Sequence, residues 1–110
     1  MIVLLVALGA AVGAPVRYAV AHLLDDELPL GTLVVNVVGS TFLGFLSATT
    51  PGEHVLALLG VGFCGGFTTW SSLAVQTHER GWSTGGRYLA LTLALALAGC
   101  SAGFAVGSYA

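Results

Sequence analysis

Polar positions divide the chain into four apolar runs, each about 20 residues long, the length a helix needs to cross a bilayer. The first covers residues 1–24, interrupted by Arg17 and His22, and the "DDELP" segment from Asp25 to Pro29 follows as a polar turn. The second run begins at Leu30 and ends at the turn signal Pro51-Gly52. The third lies between His54 and His78 without a charged side chain, and "HERGWSTGGR" (His78 to Arg87) closes it. The fourth extends from Tyr88 to the C-terminus. This pattern predicts one membrane domain over residues 1–110, with helices at about 1–24, 30–50, 54–78 and 87–109. Four crossings with short connections put both termini on one side. The third run gathers helix-weakening residues at its centre: "GFCGGFTTWSS", Gly62 to Ser72, places a glycine pair at its midpoint, Gly66. Glycine disfavours helix, so the third helix is predicted to break at mid-membrane. Backbone groups released there need protein, water or an ion as partner, and carbonyls freed at such breaks can take a cation.

Composition supports an all-α integral membrane protein. Of 110 residues, 56% are hydrophobic and 7% charged, and the mean hydropathy is +0.95; soluble domains carry about 25% charged residues. The net charge is -2, with three Arg or Lys in all, so no basic patch awaits nucleic acid. Cys64 and Cys100 lie in apolar runs without CxxC spacing and read as buried thiols. A cleavable signal peptide would need a basic leading region, which residues 1–14 lack. There is no nucleophile–base pair, metal cluster or phosphate loop, and no enzyme is expected.

The polar residues at depth are uncharged. Asp25, Asp26, Glu27, Glu53 and Glu79 all fall at predicted membrane edges, whereas Asn36, Ser40, Thr41, Thr68, Thr69, Ser71, Ser72 and Thr92 fall inside the runs. Without a titratable group at depth, proton coupling has no carrier. Neutral amides and hydroxyls can donate hydrogen bonds to an anion. For Asn36, an interhelical hydrogen bond is an equal alternative. Phe63, Phe67 and Trp70 flank the glycine pair, either as ring edges facing an anion or as ordinary packing. Small residues four apart, Gly9 and Gly13 and then Gly99, Gly103 and Gly107, allow close helix contact in lipid, within the chain or in a dimer.

Several motifs resemble the Fluc (CrcB) family of bacterial fluoride channels over essentially the whole chain. "GAAVGAPVRY" (Gly9 to Tyr18) looks like the family's first-helix motif, and "GTLVVNVVGSTFLG" (Gly31 to Gly44) is similar to its second-helix Gly-Thr-Leu…Asn…Gly-Ser pattern. "GFCGGFTTWSS" resembles its third-helix stretch. The resemblance implies an antiparallel, dual-topology dimer whose two pores pass fluoride passively and selectively out of the cytoplasm, lowering its toxicity. It implies a structural, untransported sodium ion on the backbone carbonyls of Gly65 and Thr68. It also implies an anion path past Asn36, Trp70, Ser71, Leu73, Gln76, Tyr88 and Thr92. Three positions depart from the family pattern: Trp70 and Leu73 stand where phenylalanines are expected, and Gln76 where a glutamate is.

Two rivals follow. A small multidrug exporter of similar size should carry an acid in its first helix, and residues 1–24 have none. A non-conducting subunit of a heterodimeric fluoride channel would tolerate the altered Leu73 and Gln76. Charge placement bears on the second: Arg17, Arg80 and Arg87 lie toward one membrane face and the opposite face has no Arg or Lys. The positive-inside tendency then predicts both termini outside and a preferred orientation, which leaves the antiparallel partner as either this chain or a related one.

Overall fold

Asp25 and Pro29 bracket the first change of direction. In a computed structural model, which describes residues 1–25 and 29–109, every regular element is helical; Asp26, Glu27 and the middle of the predicted "DDELP" turn lie outside the described residues. Helix α1 (Ile2–Leu24) stops at Asp25, whose backbone is extended at φ -72° and ψ 125°. The Asp25 carboxylate accepts the N–H groups of Gly31 at 2.7 Å and Thr32 at 3.2 Å. It thereby satisfies orphan donors in the first turn of α2 (Leu30–Thr49). Helix α2 ends at Thr50, held left-handed at φ 47°, just before Pro51, which disfavours helical geometry in the residue ahead of it.

The second half departs from the predicted bounds. Helix α3 occupies residues 53–67, with its central turns, Leu56–Cys64, wound as π-helix. Helix α4 (Trp70–Gly107) follows after two extended residues. The loop expected between the third and fourth runs is absent: residues 79–86 stay helical except at Gly81, where φ 78° and ψ 179° turn the chain within one residue. By length and composition, Ile2–Leu24, Leu30–Thr49 and the joined stretch Glu53–Gly107 can each cross a membrane. The chain reverses at Gly81. A straight 38-residue helix would be about 57 Å long, beyond the molecule's 42 Å longest dimension, and Gly85 lies directly against the Thr77 carbonyl.

Glycines set how the helices meet. Gly9 faces Leu58 and Phe63, and Gly13 faces Phe63 and Phe67, so α1 and α3 run parallel. Gly99 meets Val37 and Thr41, Gly103 meets Thr41 and Phe45, and Gly107 meets Phe45 and Ala48, so residues 82–107 run parallel to α2. Both stripes of small residues are therefore used within the chain. Lipid offers no hydrophobic drive between helices, and the exterior accordingly bears exposed Leu and Val along α1, α2 and α4. The buried centre mixes Val35, Leu46, Phe67 and Leu73 with the polar Thr32, Asn36, Thr69 and Thr92.

The glycine pair does not break the helix. Gly65 is helical at φ -62° and ψ -40°, and the interruption falls at Thr68 (φ -86°, ψ 160°) and Thr69 (φ -147°, ψ 121°). Gly62 and Gly66 instead let α3 lie on α1, against Val6 and Gly9 and against Ala10 and Ala14.

Candidate functional site: a helix break held open by side chains

Why the helix stops at Thr68 is visible in where the next N–H groups go. The last regular bond runs from Thr68 N to the Cys64 carbonyl at 2.9 Å, and the Thr68 hydroxyl donates to the same carbonyl at 2.8 Å. Continuing the helix would direct Thr69 N–H to the Gly65 carbonyl. It donates instead to Asn36 Oδ1 at 2.8 Å, while Asn36 Nδ2 donates to the Thr69 carbonyl at 3.0 Å. Four residues after Thr68, Ser72 N–H donates at 3.2 Å to Thr69 Oγ1, the N-cap of α4. Two side chains thus divert the donors that would have satisfied Gly65 and Thr68. Asn36 reaches the break because it shares a buried face of α2 with Val35 and Gly39, and Thr68 Cγ2 fills the space left by the missing Cβ of Gly39.

A groove of about 540 Å³ opens beside the break. Asn36, Gly65, Thr68, Trp70, Leu73 and Thr92 border it, so six of the residues singled out from sequence lie on one surface. Their exposures differ. Trp70 is 66% exposed and Leu73 only 2%, so the ring faces outward while the leucine packs inside the chain. Ser71 and Gln76 face away from the groove into a second, polar cleft with Arg17, Asp25 and Ser72. Gln76 Oε1 is buried there without a hydrogen-bond partner among the described residues. Thr69 borders both spaces.

Tyr88 borders neither. Its hydroxyl donates to the Pro29 carbonyl at 2.7 Å, and Thr92 Oγ1 donates to the Tyr88 carbonyl at 2.8 Å. Both hydrogens of the expected fourth-helix track are therefore committed to backbone. Asn36 Nδ2 carries two hydrogens, of which one goes to Thr69. Tyr88→Phe is expected to lower stability by about 1 kcal/mol, because the Pro29 carbonyl keeps its bond from Leu33 N at 3.2 Å. Thermal unfolding in detergent measures this; an unchanged midpoint would show that the bond contributes nothing.

The sequence places Thr69 among the neutral hydroxyls at depth that could serve an anion, without marking it as a site residue. A threonine heading a helical run is an N-cap signal, and that signal was present. Nothing local points to its pairing with Asn36, 33 positions away.

The sequence model for "CrcB-like protein, Camphor Resistance (CrcB)" matches residues 4–104. A protein of Rhodococcus jostii named Fluoride-specific ion channel FluC 2 is 49% identical over 79 residues, 70% of this chain and 69% of that protein. Fluoride-specific ion channel FluC 1 of Listeria monocytogenes is 37% identical over 112 residues, 94% of this chain and 95% of that one. Fluoride-specific ion channel FluC 2 of Cutibacterium acnes is 37% identical over 121 residues, covering 98% of each.

Proposed function

This chain belongs to the CrcB-like family, and we infer that it is a multi-pass membrane protein that conducts fluoride passively and selectively. The observation that carries this reading beyond the family is a groove bordered by an amide, hydroxyls and a helix break. Fluoride is small and strongly hydrated, so a path through lipid must replace its water with hydrogen-bond donors. Asn36 retains one such hydrogen. The break adds backbone polarity that needs no ionised side chain. With no acid in the groove, flow follows the gradient, and a negative-inside potential drives an anion outward by about 2.3 kcal/mol per charge per 100 mV. Nothing in the site asks for catalysis, and the exporter reading lacks the first-helix acid it requires.

The finer architecture rests on orientation and shape. Parallel α1 with α3, and α2 with residues 82–107, support four crossings that alternate in direction, the third being broken about midway, at Thr68–Thr69. The groove is open and Trp70 projects from it, which supports an antiparallel partner closing it, either a second copy or a related chain. The uneven arginines and the buried Leu73 favour a related chain inserted the other way, in which case this subunit contributes one functional pore or none.

A structural sodium ion fits the residues present. Gly65 and Thr68 offer neutral carbonyl oxygens whose helical donors are diverted elsewhere, and hard monovalent cations take oxygen ligands. Gly65 also faces open space, with nothing within 4 Å of a built Cβ. A cation bound there supplies fixed positive charge beside the anion path.

Fluoride efflux from liposomes holding this chain alone tests the reading. Fluoride release with chloride retained is expected. Equal leakage of both ions would overturn selectivity, and no release of either would assign the chain to the non-conducting subunit.

A further inference from the structure

Asn36 does more at the break than line a path. Its side-chain amide forms a two-bond pair with the Thr69 peptide, accepting at 2.8 Å and donating at 3.0 Å. Asn36 is 8% exposed and Thr69 7%, so both bonds are largely shielded from water. In lipid a backbone N–H without a partner is costly. Deprived of Asn36 Oδ1, Thr69 N–H has one acceptor at helical spacing, the Gly65 carbonyl. The helix would then extend through the break, and the Gly65 carbonyl would be engaged along the helix axis by an N–H instead of being left for an ion. We propose that Asn36 is the positioning residue of the cation site: its Oδ1 holds Thr69 N–H away from Gly65, so that α2 keeps the α3–α4 break open for an ion it does not touch. The proposal rests on the sodium reading given above. Gly39, one turn along α2, provides independent support: its missing side chain leaves the pocket that Thr68 Cγ2 occupies in the broken conformation.

The two atoms of the amide make separable contributions. Oδ1 takes the N–H that competes for Gly65, while Nδ2 satisfies the Thr69 carbonyl and keeps one hydrogen toward the groove. Asn36→Asp preserves the acceptor and loses the donor. Asn36→Leu keeps the volume and loses both.

The test uses purified full-length protein in detergent, titrated with sodium chloride replacing choline chloride at constant ionic strength. Thermal unfolding gives the sodium concentration at half-maximal stabilisation, and fluoride efflux is measured in parallel. Asn36→Leu is expected to raise that concentration by roughly 10–100-fold, the usual loss when a residue orienting metal ligands is removed. Asn36→Asp is expected to keep the sodium midpoint at or below that of the unaltered protein while fluoride efflux falls, a split that mere destabilisation would not produce. If Asn36→Leu yields no monodisperse protein, Asn36→Ala takes its place with the same expected shift. An unaltered protein that melts identically in sodium and choline overturns the sodium reading and this proposal with it. Sodium stabilisation whose midpoint is the same with and without the Asn36 amide overturns this proposal alone.

Discussion

Gly103→Val is expected to remove nearly all correctly folded protein. A Cβ at Gly103 would overlap the Thr41 carbonyl and press on Phe45 N, all backbone atoms of α2. Backbone cannot rotate aside as a side-chain tip can, so the helices must separate along their shared length. The cost belongs at the upper end of overpacking, roughly 3 kcal/mol, which lowers the folded-to-unfolded ratio by roughly 100-fold. Gly65→Ala provides the contrast. Gly65 is helical and has nothing within 4 Å of a built Cβ, so the protomer should be unharmed or stabilised by up to about 1 kcal/mol. The measurement is the monodisperse fraction after detergent extraction. Equal recovery of both variants would show that the α2–α4 contact is looser than described. A normal protomer with impaired assembly in Gly65→Ala would place the partner against this glycine.

Gly81→Ala should destabilise the protein by about 1–3 kcal/mol, the strain of a non-glycine residue in a sparsely populated backbone region. The cause is purely conformational, since nothing lies within 4 Å of a built Cβ and the difficulty is φ 78° with ψ 179°. That combination lies outside the left-handed helical well, near ψ of about 47°, where asparagine is tolerated. Gly81→Asn should therefore be as damaging as Gly81→Ala. Thermal unfolding of the three proteins checks this, and a clear advantage of Asn over Ala would indicate a left-handed turn instead.

What the sequence disclosed depended on how far each cause lies from its effect. Asp25, Pro29 and the Thr50–Pro51 step act on their own neighbourhood, and the first two helices begin and end within a residue of where those signals put them. The break was sought at Gly66 and found at Thr68–Thr69, because what opens it is not glycine's flexibility but an amide on α2. Glycine spacing disclosed close contact without naming the partner: Gly9 and Gly13 meet α3, and Gly103 meets α2, which no spacing specifies. Tyr88 was grouped with Thr92 by their four-residue separation. It lies one turn nearer the membrane edge, where its hydroxyl finds Pro29, 59 positions earlier. The short connection predicted between residues 78 and 87 is shorter still, because Gly81 alone completes the reversal.

The pairing of helices also governs the order in which the protein is made. Helices α1 and α2 touch each other less than either touches its later partner. Residues 1–49 therefore leave the ribosome as a hairpin in which the Gly9–Gly13 stripe of α1 and the Thr41–Phe45 face of α2 have both yet to meet their partners. The face of α1 is covered once residues 53–67 arrive. That of α2 waits for residues 82–107, and the start of α2 gains its tie to Tyr88 only then. Truncated or stalled chains lacking residues 82–107 should consequently present an uncovered α2 to the surrounding membrane, where quality-control proteases that recognise unpaired helices would find it.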